Sequence, residues 1–115
     1  MIKVLHNSSC SKSRGILELL DENGVYFEII DIINNPLSEL ELKTVLKKLG
    51  KSAKEITRSF DPAYKEKFGM KEQSEEEIFQ ILLENPNFIQ RPILIKGSLA
   101  MIGRPIENVR YFISE

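Results

Sequence analysis

The first 33 residues alternate between strand-like and helix-like segments, and this order limits the folds open to the chain. Ile2–Leu5 is a short apolar strand pattern, Ser11–Glu22 has helical spacing, and Val25–Ile33 is a long β-rich segment. Asn23-Gly24 predicts the end of this helix, because glycine readily adopts the left-handed conformation in which helices often terminate. A helix of this length between two strands predicts a right-handed parallel crossover. Ligands gather beyond the carboxyl ends of such strands.

The middle of the chain predicts helices. Ser38 and Ser74 each begin a capping-box pattern followed by apolar residues at helical spacing. Asp61–Phe68 predicts a shorter helix between them. We therefore expect a helical block over about residues 37–88.

The last third returns to strands. Pro92–Ile95 and Leu99–Ile102 predict an antiparallel hairpin, and Pro105 opens a final helix. The complete order is βαβ, a helical block, then ββα. This order predicts an α/β protein with a thioredoxin-like fold: a mixed four-stranded sheet that carries a helical insertion between its two halves. We expect a single domain over residues 1–115.

Composition and charge exclude several classes of function. The net charge of −1 supplies no basic field for nucleic acid, and no apolar run reaches the roughly 18 residues that a membrane helix needs. A single cysteine and a single histidine exclude an intramolecular disulfide and a multi-cysteine metal site, so we expect no metal. The amino-terminal sequence has no signal-peptide pattern, and we expect a protein of the reducing cytoplasm.

Cys10 lies in a polar run, whereas a packing cysteine usually has apolar neighbours. The run falls between the first strand and the first helix. Backbone N–H groups and the helix dipole at such a turn stabilise a thiolate and lower the pKa of the thiol. We therefore predict that Cys10 is a nucleophile.

Arg58, Arg91 and Arg104 stand beside predicted breaks at the ends of elements, where catalytic groups are often held. The planar guanidinium suits bidentate capture of a tetrahedral oxyanion and keeps its charge at any working pH. Each could equally be a solvated surface arginine. Pro92 stands before the third strand, where thioredoxin-like folds have a cis-proline facing the active cysteine, and we predict a cis bond there.

His6 ends the first strand four residues before Cys10, and it could either lower the pKa of the thiol as a cation or hold the turn by hydrogen bonds. Arg14 could neutralise the thiolate or simply project into solvent. Two motifs fail: a C-x5-R phosphatase loop would need arginine in place of Ile16, and a C-x-x-C dithiol would need cysteine in place of Ser13. Any disulfide cycle must therefore use a thiol from outside the chain.

Four motifs occur together, in order and over nearly the whole chain: His6-Asn7-x-x-Cys10-x-x-Ser13-Arg14, the isolated Arg58, Gln90-Arg91-Pro92-Ile93 and Gly103-Arg104-Pro105. In these motifs the chain resembles the glutathione/glutaredoxin-coupled arsenate reductases. One departure from the family pattern is Ser8, where the family usually has proline.

The resemblance implies a reaction and its participants. The nucleophile falls on Cys10 and the oxyanion-binding arginines on Arg58, Arg91 and Arg104, with His6, Asn7, Ser13, Arg14 and Pro92 in support. The thiolate attacks arsenate, glutathione forms a mixed disulfide as co-substrate, and glutaredoxin resolves it. No bound cofactor, nucleic acid or membrane is implied.

Two other functions share this fold. An Spx-type transcriptional regulator would bind RNA polymerase, although such regulators typically carry the C-x-x-C switch that is absent here. A monothiol glutaredoxin-like thiol transferase would act on protein–glutathione disulfides and would not need three arginines. A pull-down of RNA polymerase tests the regulator. If arsenate or phosphate protects Cys10 against alkylation, that result would argue against the thiol transferase.

Overall fold

The structure is a computed structural model that describes residues 2–6, 12–69, 72–103 and 106–114, with only the backbone at residues 12–14, 106 and 114. The elements follow the predicted order. They are β1 (Ile2–His6), α1 (Lys12–Glu22), β2 (Phe27–Asp31), α2 (Glu39–Leu49), α3 (Pro62–Phe68), α4 (Glu75–Glu84), β3 (Ile93–Lys96), β4 (Leu99–Ile102) and α5 (Ile106–Ser114), with 3₁₀ turns at Lys54–Ile56 and Pro86–Phe88.

The strands form one mixed sheet in the order β2-β1-β3-β4. β1 runs parallel to β2, with His6 opposite Asp31, and antiparallel to β3, with Leu5 opposite Ile93. β4 pairs antiparallel with β3, with Ile102 also opposite Ile93. The carboxyl ends of β1 and β4 therefore meet the amino end of β3 at one end of the sheet. This arrangement confirms the predicted four-stranded, thioredoxin-like fold.

Each face of the sheet carries a hydrophobic cluster. On one face, Ile2, Val4 and Leu94 pack with buried residues of α1 and with Val109 of α5. On the other face, Leu5 and Ile93 pack with apolar residues of the helical segments between β2 and β3. Burial of these side chains is the main favourable contribution to folding. The same packing holds the ends of β1 and β3 in place, because Leu5, Ile93 and Leu94 belong to the two clusters.

The two capping boxes predicted from the sequence are confirmed. Ser38 and Ser74 each complete a capping box, and α2 ends at Gly50 in the left-handed conformation, with φ of 67°. Asp61 caps α3 by accepting a hydrogen bond from the N–H of Ala63. Within the described ranges, none of the helices combines the length and the apolar character that a membrane span requires.

The second strand is shorter than the predicted Val25–Ile33, and each end has a local cause. At its start, the N–H of Val25 donates to the carbonyl of Leu20 and closes the end of α1. At its end, a carboxylate oxygen of Asp31 accepts hydrogen bonds from the N–H groups of Ile33, at 2.9 Å, and Asn34, at 3.3 Å. These bonds turn the chain after Asp31.

Candidate functional site

Three neighbouring strand ends bring His6, Pro92 and Gly103 to the same end of the sheet. His6 lies one position beyond the paired Leu5 and Ile93. The N–H of Gly103 donates to the carbonyl of Pro92 at 2.8 Å. The bond between Arg91 and Pro92 is cis, as the sequence predicted.

A short antiparallel bridge between Thr57 and Ile89 links two segments that are distant in sequence. The N–H of Arg58 donates to the carbonyl of Phe88 at 2.7 Å. Across the same bridge, the side-chain amide of Gln90 donates to the carbonyl of Thr57 at 3.5 Å. The bridge therefore fixes the backbone of Arg58 against the segment that leads into Arg91.

The Arg91 side chain folds back along its own segment. Its Nη1 donates to the carbonyl of Asn87 at 2.8 Å and to that of Ile89 at 3.5 Å. These carbonyls flank Phe88, the residue that pairs with Arg58. The backbone of Arg58 and the side chain of Arg91 are thus both hydrogen-bonded to residues 87–89. These are two of the three arginines that the sequence predicted for an oxyanion site.

Two residues that follow Arg58 contact its guanidinium. The Phe60 ring lies over it, with 5.2 Å between Arg58 Cζ and the ring centroid. Asp61 Oδ2 lies 3.7 Å from Arg58 Nε. Only 17% of the Arg58 side chain is exposed, so its charge is held at the surface in a largely desolvated position. A charge in such a position interacts more strongly with an anion than a fully solvated one does.

An aromatic cluster includes Phe88, the residue whose carbonyl accepts the hydrogen bond from Arg58. The rings of Tyr64, Phe68 and Phe88 pack against one another, with centroids 5.0 to 5.9 Å apart. The Tyr64 hydroxyl donates to Gln73 Oε1 at 3.1 Å, and burial raises the pKa of Tyr64. Because Phe88 belongs to this cluster and also pairs with Arg58, core packing fixes the position of the site segment.

Gly103 leaves little space beside the cis-proline. A Cβ at this position would lie 3.1 Å from Cγ of Pro92, 3.0 Å from Cδ1 of Leu94 and 3.4 Å from Cδ1 of Ile16. The absence of a side chain therefore lets the end of β4 approach β3 closely.

His6 presents one ring nitrogen to the interior. Its Nδ1 is buried and has no hydrogen-bond partner among the described residues. No group of three or more His, Cys, Asp or Glu side chains in those same residues is arranged to hold a metal ion. The predicted site residues whose ionisable side chains are described are therefore two arginines and one histidine.

Other predicted site residues lie outside the described residues or are described only by their backbone. Cys10, Asn7 and Arg104 lie outside the described residues, as does Ser8, and Ser13 and Arg14 belong to the first turn of α1, where only the backbone is described. His6 and Lys12, the described residues on either side of Cys10 in the chain, end β1 and begin α1. Gly103, which precedes Arg104, follows the end of β4.

The sequence predicted no site role for Phe60, Asp61 or Gln90, although Gln90 begins one of the four motifs. The sequence does contain a signal for Phe60. This residue stands directly before Asp61-Pro62, where a helix starts, and it belongs to no apolar stripe, so its side chain is not needed in the core. The contact of Gln90 with the bridge joins segments 33 residues apart in the chain, and no local pattern indicates such a pairing.

Sequence comparison identifies the family. A model of the ArsC family matches residues 5–112. The chain belongs to the ArsC family. The chain is 41% identical over 110 residues to the uncharacterized protein YfgD of Escherichia coli strain K12, and the match covers 94% of this chain and 92% of that one. It is 36% identical over 111 residues to an arsenate reductase of Neisseria meningitidis serogroup B, covering 94% of each chain.

Solved structures agree with this assignment to the ArsC family. The fold matches the arsenate reductase of Vibrio cholerae with a TM-score of 0.85 and 33% sequence identity. The match covers 96% of this chain and 95% of that one. The similarity therefore extends over the sheet, the helices between β2 and β3, and α5.

Proposed function

We propose that this chain is an arsenate reductase in which Cys10 is the nucleophile and Arg58, Arg91 and Arg104 bind the oxyanion. The observation that carries the proposal is the placement of Arg58 and Arg91 on the two segments of one bridge, the second of which leads into the cis-proline. Their planar guanidinium groups match the geometry of a tetrahedral anion. ArsC relatives that are named arsenate reductases support arsenate as that anion.

In the proposed reaction, the Cys10 thiolate attacks arsenic(V), and a hydroxide leaves and is protonated to water. An outside thiol then attacks the sulfur of Cys10. The sulfur–arsenic bond breaks with its electron pair remaining on arsenic, so arsenite forms and Cys10 is left in a mixed disulfide. A second outside thiol reduces this disulfide. Each arsenate thus receives two electrons from two outside thiols, which end as one disulfide.

The two outside thiols are glutathione and then glutaredoxin in this proposal. The chain has one cysteine, so it holds no resolving thiol of its own. His6 and the residues around the turn, Asn7, Ser13 and Arg14, hold or stabilise the thiolate, and Pro92 faces it. We place the reaction in the cytoplasm, where both thiols are kept reduced.

The direct test is arsenite formation from arsenate with glutathione and glutaredoxin. We expect turnover by the unaltered chain, none by Cys10→Ser, and strongly reduced turnover by Arg58→Ala. Arg110→Ala is the matched control because Arg110 is exposed on α5. Equal activity in the unaltered chain and Cys10→Ser would overturn the proposal.

A second experiment separates oxyanion reduction from thiol transfer. Arsenate or phosphate bound beside Cys10 should slow its alkylation by iodoacetamide, and this protection should be lost in Arg58→Ala. Turnover of a glutathionylated peptide without any protection by arsenate would instead favour a thiol transferase.

A further inference from the structure

Phe60 is a large aromatic side chain that the core does not bury. Its exposed fraction is 58%, whereas the Arg58 side chain beside it is only 17% exposed. The face of the ring lies over the guanidinium, 5.2 Å from Arg58 Cζ. An aromatic face attracts a cation through the negative region of its π system. The ring therefore has a partner, and that partner is a predicted site residue.

Asp61 provides a second fixed point for the same guanidinium. One carboxylate oxygen accepts a hydrogen bond from the N–H of Ala63 at 2.9 Å and ties the side chain to the first turn of α3. The other oxygen lies 3.7 Å from Arg58 Nε. The carboxylate is thus anchored to a helix whose buried Tyr64 packs in the aromatic cluster.

The backbone connects these contacts. The N–H of Asp61 donates to the carbonyl of Arg58 at 3.0 Å, so the chain from Arg58 to Asp61 forms a turn. This turn brings both Phe60 and Asp61 against the Arg58 side chain. The ring restricts the tilt of the guanidinium plane, and the carboxylate restricts its Nε end.

We propose that Phe60 is a positioning residue for oxyanion binding: its ring holds the Arg58 guanidinium in the plane in which it meets the anion, with Asp61 fixing the Nε end. The inference rests on the proposed function only in naming arsenate as the anion. Placing a guanidinium in advance reduces the ordering cost of binding. The contact should therefore affect the affinity for the oxyanion more than the rate of the chemical step.

The kinetic test compares three substitutions at Phe60. Phe60→Ala and Phe60→Leu should each raise KM for arsenate about three- to tenfold with little change in kcat, because the attraction of a cation to an aromatic face is lost. Phe60→Tyr should retain the KM of the unaltered chain because it keeps the ring. Tyr26→Ala is the matched control, since Tyr26 is 86% exposed and is not among the residues of the site.

Several kinetic results would overturn the inference. One is an unchanged KM in Phe60→Ala while the unaltered chain reduces arsenate. Another is a KM in Phe60→Leu equal to that in Phe60→Tyr, because an apolar side chain would then position the Arg58 guanidinium as well as an aromatic ring does. A loss of kcat without a rise in KM would also contradict it. Thermal unfolding of each variant shows whether the fold is retained.

A measurement without arsenate keeps the inference separate from the proposed function. The Phe60 ring current should shift the NMR signals of the Arg58 Hε and δ-methylene protons, and Phe60→Ala should move them towards their values in an exposed arginine.

A binding measurement with inorganic phosphate is also independent of arsenate. Inorganic phosphate should bind Phe60→Ala about three- to tenfold more weakly than it binds the unaltered chain. If the unaltered chain binds phosphate but does not reduce arsenate, the proposed function fails while this inference is still tested. Unchanged Arg58 signals would overturn the inference.

Discussion

The carboxylate of Glu75 accepts a hydrogen bond from the backbone N–H of Ala53 at 2.7 Å, across 22 residues of sequence. Its second oxygen accepts one from the N–H of Lys54 at 3.1 Å. The first residue of α4 therefore caps the 3₁₀ turn that precedes Thr57 and Arg58. This contact joins α4 to the segment that carries the first site arginine.

Glu75→Ala should lower the free energy of unfolding by about 1–2 kcal/mol, because two backbone N–H groups lose a charged acceptor. Glu75→Gln, which keeps an acceptor oxygen, should lose less. Denaturation in urea measures both. Glu76→Ala is the matched control, since it also removes a carboxylate from the first turn of α4. Equal destabilisation by Glu75→Ala and Glu76→Ala would show that the helix dipole, and not the cap, is responsible.

Local chemistry made most of the fold predictable from the sequence. The capping boxes at Ser38 and Ser74 and the cis bond at Pro92 each follow from signals within a few residues, and all three are found in the structure. The predicted end of β2, at Ile33, was wrong because the apolar pattern continues past Asp31, where the strand ends. The side chain of Asp31 takes the next N–H groups, which hydropathy does not show.

The site was predictable only in part, because its geometry depends on contacts between distant segments. The positions of Arg58 and Arg91 beside breaks indicated that they are functional candidates. The bridge between Thr57 and Ile89, beside which both arginines lie in the chain, joins residues 32 positions apart, and no periodicity indicates that pairing. The predictions for Cys10 remain predictions, since it lies outside the described residues.

Gly103→Ala should destabilise the protein by about 1–3 kcal/mol, because the added methyl group overpacks the space between β3, β4 and α1. Cδ1 of Leu94 would lie 3.0 Å from the new carbon. Leu94→Val removes that terminal carbon, so the double variant should lose less than the sum of the two single variants. A double-mutant cycle from urea denaturation measures this coupling. Strictly additive losses would contradict the predicted contact.

Acid should remove a stabilising contribution from Glu41. The backbone N–H of Ser38, followed by its hydroxyl, holds the pKa of the Glu41 carboxyl below its ordinary value of 4.5. A carboxyl with a lowered pKa in the folded state stabilises the fold above its unfolded pKa, and the effect is lost as pH falls through the folded pKa.

The unfolding free energy of the unaltered chain should therefore fall more steeply from about pH 5 to about pH 3 than that of Glu41→Gln, which has no proton to bind. Urea denaturation at a series of pH values measures the two slopes. Glu84→Gln, which removes an exposed carboxylate at the end of α4, should keep the slope of the unaltered chain. Parallel curves for the unaltered chain and Glu41→Gln would contradict the prediction.

Arg91→Lys should raise KM for arsenate about tenfold or more although it keeps the positive charge. The Arg91 guanidinium donates from Nη1 to the carbonyl of Asn87 and, as a planar fork, has further N–H groups for an anion. A lysine carries its three N–H donors on one nitrogen and has no planar fork, so a single group would have to reach both the carbonyl and the anion. Each lost charge-assisted hydrogen bond is worth about 1.5–3 kcal/mol.

Steady-state kinetics with arsenate and competitive inhibition by phosphate measure the effect of Arg91→Lys on anion affinity. Arg110→Lys on α5 is the matched control and should leave both constants unchanged. Thermal unfolding shows whether the lost bond to Asn87 also loosens the segment before Pro92, in which case stability and KM would change together. An Arg91→Lys variant with the KM of the unaltered chain would show that position 91 contributes charge alone, and the fork geometry would then have no part in binding the oxyanion.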